Sequence, residues 1–203
     1  MRALILIATL LACGRFAQAQ ATAQPNIRHG FWIGLGVGGG SAHTNCSYPI
    51  CSSDRLGGAS GYIGLGGTLS PHIRLGGETN VWVCPQGFGT EVIEFASLVA
   101  QWYPSRRGAS YVKVGVGGMR LNSSNGGVAD IPSYNAYAPG ATVGVGYELG
   151  VHSRVSLVPW INVLASSTVA LDYHLGFIDL DPPTSPPDVR INLVQAGLTV
   201  TWQ

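Results

Sequence analysis

Hydrophobic residues alternate with small or polar residues along most of the chain from about residue 31 onward. In the first segment Phe31, Ile33 and Leu35 alternate with Trp32, Gly34 and Gly36. Because successive residues of a β-strand point to opposite faces, this period of two predicts a strand with one aliphatic face. The pattern recurs in segments 59–69, 73–83, 92–103, 112–117, 141–149, 154–165 and 194–203. We therefore predict an all-β protein with eight strands, and we leave the facing of segment 92–103 open because both of its faces are apolar.

The connections between these strands alternate in length. Long or medium connections are at 43–56, 84–91, 122–138 and 166–188, and short ones are at 70–72, 104–110 and 150–153. Consecutive antiparallel strands joined in this way place every long loop at one end and every tight turn at the other. Outer-membrane barrels show this asymmetry, with short periplasmic turns and long extracellular loops. The pattern predicts an eight-stranded antiparallel up-and-down transmembrane barrel.

The composition indicates which face of each strand points outward. Charged residues make up 10% of the chain, and 29 of the 203 residues are glycine. A soluble lipocalin-like barrel would need a strongly charged exterior, but the non-aliphatic face here is mostly Gly, Ser and Thr. An eight-stranded barrel leaves room only for side chains inside it. We expect the aliphatic side chains to face lipid and the lumen to be plugged.

The charged residues of the strands fall on the non-aliphatic face. Arg74, Lys113, Glu148 and Arg154 lie near predicted short turns, and Glu78 is four residues beyond Arg74. A lipid-facing Arg or Lys at mid-depth costs about 2–4 kcal/mol, which favours pairing within the lumen. We predict a lumen ionic cluster of these five residues near the periplasmic end, in which Glu78 is paired with a residue from another strand.

Aromatic residues lie near the predicted periplasmic strand ends. They are Phe31, Trp102, Tyr103, Tyr111 and Trp202. Such positions are typical of an interfacial aromatic girdle.

The N-terminus has the features of an export signal. An apolar run over residues 3–12 precedes Ala17-Gln18-Ala19, an A-x-A cleavage site. We predict a signal peptide at 1–19, an N-terminal extension at 20–26 and a barrel at 27–203. A lipoprotein cleavage before Cys13 is the alternative. Removal of Arg2 and Arg15 leaves 9 basic and 10 acidic residues, without a basic stripe for nucleic acid.

Three cysteines remain after residue 19: Cys46, Cys51 and Cys84. In an oxidising compartment two of them are expected to pair, and Cys46 with Cys51 is favoured because these two lie close together among turn-forming residues. Their spacing does not match a zinc site, and we predict no metal and no cofactor.

The export signal, the alternating strands and the C-terminal segment 195–203 resemble the small outer-membrane β-barrel proteins related to the outer-membrane protein A transmembrane domain and the opacity-type barrels. The glycine-rich segments 30–40 and 61–67 are also similar to that group. The resemblance implies an outer-membrane location in a Gram-negative-type bacterium, with membrane lipid as the surroundings. It implies no activity.

We therefore expect a non-catalytic, structural or surface-interaction protein, with any extracellular partner bound by the loops at 43–56 and 166–188. Three alternatives stay open: an outer-membrane lipid-modifying enzyme, a narrow pore for small apolar molecules, and a soluble binding barrel. His152-Ser153 resembles a base–nucleophile pair, but it lies in a predicted periplasmic turn.

Overall fold

The structure, a computed structural model, describes residues 28–46, 55–86, 89–124, 133–170, 172–174 and 188–203. The signal peptide at 1–19 and the extension at 20–26 lie outside these residues, so both stay predictions. No helix among the described residues is long and apolar enough to cross a bilayer.

Eleven strands form a single antiparallel sheet in the described part of the chain, and eight of them close into a barrel. The barrel strands are β1 (Gly30–Cys46), β2 (Leu56–Ser70), β3 (Ile73–Gln86), β4 (Gly89–Trp102), β5 (Ser110–Ser124), β6 (Ser133–Tyr147), β8 (Val155–Ser166) and β11 (Asp188–Trp202). Three short strands pair with barrel strands at the ends of the wall: β7 (Leu149–His152) with β8, β9 (Val169–Ala170) with β11, and β10 (Asp172–His174) with β6. The predicted fold class is confirmed.

The first and last strands close the barrel. β1 pairs with β11 along its length, from Ile33↔Trp202 to Cys46↔Val189. Following the paired residues once around the barrel from Trp32 leads back to Ala42, ten residues further along β1. This stagger tilts the strands by roughly 35–45° to the barrel axis, as closure of a small barrel requires.

The strands are longer than the sequence pattern predicts. β1 contains 17 residues and reaches Cys46, inside the predicted loop at 43–56. β5 and β6 likewise enter the predicted loop at 122–138, because polar residues such as Asn122 and Asn135 continue the pairing. The alternation of hydrophobic residues ends where the strands extend beyond the hydrocarbon of the membrane, but the backbone pairing between the strands continues further.

Glycines on the inner face bring aromatic side chains close to the barrel wall. A Cβ atom on Gly76 would lie 2.8 Å from Cζ2 of Trp32, and one on Gly64 would lie 3.1 Å from Cζ3 of the same indole. Trp32 of β1 therefore spreads over β2 and reaches β3. Large rings fit into this narrow lumen because the wall beneath them carries no side chain.

Candidate functional site

Glu148 is the centre of the ionic network at the periplasmic end of the lumen. It is the single residue between β6 and β7, and its side chain is buried in the lumen. Arg28 Nε donates to Glu148 Oε2 at 3.0 Å, and Arg74 Nη1 donates to Glu148 Oε1 at 2.5 Å. Both arginines are buried. Two guanidinium groups, one preceding β1 and one on β3, therefore share one carboxylate.

Tyr103 connects this network to the turn that follows β4. Its hydroxyl accepts a hydrogen bond from Arg74 Nη1 at 2.9 Å and lies 2.9 Å from Glu148 Oε1. The Arg28 guanidinium stacks 3.6 Å above the centre of its ring. Burial, and then the Glu148 carboxylate, raise the pKa of the Tyr103 hydroxyl, so the phenol stays protonated.

Glu78 and Lys113 form a separate buried pair higher in the lumen. Lys113 Nζ lies 2.7 Å from Glu78 Oε2 and 2.8 Å from Oε1, and Asn80 Nδ2 donates to Oε1 at 3.2 Å. Lys113 comes from β5 and Glu78 from β3, so the two charges meet over the inner face of β4, the strand between them.

Arg154 does not belong to this network. It lies in the exposed turn before β8, where its backbone carbonyl accepts a hydrogen bond from Gln203 N at 3.0 Å. The prediction placed it in the lumen because it continues the alternation of β8, but the strand begins one residue later, at Val155. Arg28, which precedes the first alternating segment, was not among the predicted residues, because no periodicity reaches it.

The aromatic residues at this end divide between two environments. Phe31, Trp102 and Trp202 are exposed on the outer face, where a girdle would lie. Tyr103 and Tyr111, in contrast, pack against each other inside, with ring centres 5.4 Å apart. Their assignment to the girdle is wrong. Tyr111 shares the inward face of β5 with Lys113, and Tyr103, one residue beyond β4, lies buried on the same side as Gln101.

The extracellular half of the lumen is mostly apolar, although the buried side chains of Thr44 and Glu91 also lie there. A continuous buried cluster fills it, and its larger members are Trp82, Ile93, Phe95, Met119, Leu121, Leu164, Ile191 and Leu193. This cluster settles the open facing of segment 92–103, since Ile93, Phe95 and Val99 point inward. We expected the inward faces to carry mainly Gly, Ser and Thr. Towards the loops, the inward faces of β4, β5, β8 and β11 carry large apolar side chains instead. The sequence signal for this was the apolar character of both faces of β4.

The outer face forms an aliphatic belt. Its exposed members include Leu35, Val37, Ile63, Leu65, Leu98, Val114, Val116, Val143, Val163 and Leu198. Water would not stably cover this much contiguous apolar surface, whereas acyl chains do. The belt has the predicted orientation, opposite to that of a soluble lipocalin-like barrel.

An ion pair marks the extracellular edge of this belt. Glu94 and Arg120 lie opposite each other on β4 and β5, with Arg120 Nη1 3.6 Å from Glu94 Oε2, and both are nearly half exposed. The Arg120 guanidinium lies 5.4 Å from the ring centre of Tyr137. Charged and aromatic side chains at this height suit the polar interface.

The cysteines and the His152-Ser153 pair are the remaining candidate residues from the sequence. Cys84 is a free, buried thiol next to the apolar cluster. Cys51 and the side chain of Cys46 lie outside the described residues, so their disulfide stays a prediction. Ser153 Oγ is 3.1 Å from His152 Nδ1, but the pair lies in an exposed turn at the periplasmic end. The described residues contain no group of His, Cys, Asp and Glu that could hold a metal ion.

Comparison with known proteins finds similarity in structure. No family model matches the sequence. No curated protein matches it. Among solved structures, Neisserial surface protein A (NspA) superposes with a TM-score of 0.50 at 14% identity, over 84% of this chain and 96% of that one. OprG from Pseudomonas aeruginosa gives 0.47 at 8% identity (89% and 100% covered), and Ail of Yersinia pestis gives 0.44 at 10% identity (84% and 99% covered).

The likeness to NspA shows the fold, and the aliphatic belt shows the surroundings for which that fold is built. Together they define the chain as a small outer-membrane β-barrel protein. The predicted resemblance and the predicted outer-membrane location are both confirmed.

Proposed function

We propose that this protein is a non-conducting outer-membrane barrel with a structural or surface-interaction role. The observation that carries the proposal is the filling of the lumen at successive heights. The Glu148 network lies at the periplasmic end, the Glu78–Lys113 pair above it, and the apolar cluster towards the loops. The cavity among these side chains lined by Trp32, Tyr62 and Lys113 has a volume of about 10 Å³, room for about one water molecule.

Conductance in planar bilayers tests the plugged lumen. The refolded protein is expected to give no discrete single-channel currents, because charged solutes would meet both a paired ionic layer and an apolar layer. Flotation of the same proteoliposomes verifies insertion independently. Reproducible current steps from inserted wild-type protein would overturn the proposal.

The loops at 43–56 and 166–188 are the proposed contact region for an extracellular partner. Support comes from the wall, which extends past the Glu94–Arg120 pair and so carries the loop ends away from the lipid. Replacing only residues 47–54 and 175–187 with short turns, which spares the paired strand residues, should leave folding in detergent unchanged while reducing adhesion of cells that display the protein. Equal adhesion by the two forms would contradict a surface-interaction role.

A second candidate function is binding of small apolar molecules in the upper lumen. The observation that favours it is that the buried side chains there, such as Trp82, Phe95 and Leu193, are apolar; because they fill the space, a guest molecule would have to displace them. Toluene would then quench tryptophan fluorescence in a saturable way, and Trp82→Phe would remove that part of the signal. An unsaturable response would eliminate this candidate.

The proposal includes no reaction on lipid. Incubation of the folded barrel with lipopolysaccharide and phospholipid, followed by mass spectrometry, should return both lipids unchanged. Loss of an acyl chain from either lipid would instead support the enzymatic alternative.

A further inference from the structure

The buried charges at the periplasmic end of the lumen do not cancel. Lys113 and Glu78 form a neutral pair whichever of the two holds the proton. Arg28 and Arg74, however, share the single carboxylate of Glu148, and guanidinium groups stay charged in proteins. The sequence of residues 1–27 contains no Asp or Glu that could compensate. One positive charge is therefore in excess, in a place where an unbalanced charge is costly.

The same region contains buried N–H groups without a protein acceptor among the described residues. These are Nε and Nη2 of Arg74 and Nε1 of Trp32. Arg74 is 1% exposed and Trp32 is 2% exposed, so bulk water does not reach these groups. Leaving a buried donor unsatisfied costs about 1–3 kcal/mol, and more when the group is charged.

The two side chains lie next to each other. The far edge of the Trp32 indole comes to the inner face of Gly76, which is two residues from Arg74 on the same face of β3. Arg74 and Trp32 both line the 10 Å³ cavity that Gln101 and Thr201 also border. Its size suits a single water-sized particle.

The uncompensated charge favours an anion over water in this cavity. All three unsatisfied groups are donors. Glu148, Gln101 and Thr201 also border the cavity and could accept hydrogen bonds from a water molecule, but water would leave the positive charge unbalanced. An anion accepts from every donor and also balances the excess charge. We propose that this cavity binds one small inorganic anion, chloride, held by Arg74 and Trp32.

Urea unfolding of the full refolded chain in detergent tests the proposal. The titrations are carried out at constant ionic strength, with chloride replaced stepwise by gluconate. Because a ligand that binds the folded state stabilises it by mass action, the wild-type midpoint should rise with chloride and saturate. Trp32→Phe removes one donor and keeps the ring, so it should require about five- to tenfold more chloride for the same rise.

Trp160→Phe is the matched control. Trp160 lines the same cavity, but its Nε1 already donates to Thr199 Oγ1 at 2.8 Å. This variant should keep the wild-type dependence on chloride whatever its basal stability. Arg74→Lys, which keeps the charge but loses Nε and Nη2, should abolish the dependence.

A wild-type midpoint that is the same in chloride and gluconate would overturn the proposal. Equal shifts in Trp32→Phe and Trp160→Phe would overturn it too, because the anion would then not use the unsatisfied indole. Crystals grown in bromide give a direct measurement: the expected anomalous peak lies between Arg74 and Trp32, and a cavity without one contradicts the assignment.

Discussion

Glu148 illustrates how much depends on single residues in a lumen this narrow. It is nearly buried and accepts hydrogen bonds from Arg28 and Arg74, so its removal leaves two guanidinium groups facing each other without a carboxylate. Glu94 is also paired with an arginine, but at 3.6 Å and nearly half exposed. The two carboxylates have the same chemistry in different surroundings.

Glu148→Gln should therefore lower the free energy of unfolding by about 3–5 kcal/mol, because breaking a buried pair leaves an uncompensated charge. Glu94→Gln should change it by less than about 1 kcal/mol, since exposed pairs contribute little. Urea titration of both variants in the same detergent measures the difference. Equal losses would mean that the Glu148 network is not desolvated.

The inner glycines allow an equally local test. A Cβ atom on Gly76 would collide with the backbone oxygen of Leu65 and with the Trp32 ring, whereas one on the adjacent Gly77 would find its nearest atom 3.9 Å away. Gly76→Ala should lower the free energy of unfolding by about 1–3 kcal/mol through overpacking, and Gly77→Ala should be nearly neutral. Heat-induced loss of folded-form gel migration checks both variants. A more damaging Gly77→Ala would contradict the facing of β3.

Among the strands, the contact between β6 and β8 is the shortest part of the barrel wall. Its paired residues run from Gly140↔Ser166 to Gly146↔Trp160, whereas the β1–β11 ladder extends from Ile33 to Cys46. Pro139 precedes the paired segment of β6, and Pro159 precedes that of β8. Because proline has no N–H to donate, each of the two removes a possible ladder hydrogen bond at its end of this contact, although the Pro139 carbonyl still accepts from Ser167 N at 2.8 Å.

Backbone amides of β6 and β8 that face each other should consequently exchange with deuterium faster than those between β1 and β11, since local opening begins where fewest hydrogen bonds must break. Hydrogen exchange read by mass spectrometry in detergent would show this ranking. Uniform protection around the barrel would indicate that the shorter ladder does not weaken the wall.

The strands also show which features of the fold could be predicted from the sequence. Strict alternation predicted the number of barrel strands, and the scarcity of charge on the non-aliphatic face predicted that the aliphatic face points outward, because alternation alone is shared with soluble barrels. It could not place Arg28, which precedes the first strand, or Arg154, which a one-residue shift of the strand start moves into a turn. The upper apolar cluster was missed because Ile93 and Phe95 resemble lipid-facing residues until the register of β4 is known.

At the scale of the whole molecule, the cost of placing a charge on the aliphatic belt should depend on how deep in the bilayer it lies. Val116 lies midway along the outer face of β5, and Val112 lies near its periplasmic end, both exposed. Val116→Arg should destabilise the barrel in lipid by about 2–4 kcal/mol, and Val112→Arg by about 0–1 kcal/mol. Unfolding in phospholipid vesicles checks this, and equal penalties would place the bilayer centre elsewhere along β5.

The ten-residue stagger and the long strands together set how high the wall stands. At about 3.3 Å per residue and a tilt of about 40°, a strand as long as β1 rises about 40 Å, whereas the hydrocarbon covers about 25 Å. Since Phe31 lies at the lower edge, most of the remaining 15 Å or so projects outside the cell. This ring of paired backbone would hold the ends of the strands at fixed distances from one another, well above the lipid surface, so the spacing between any extracellular contact points near them is set by the barrel itself.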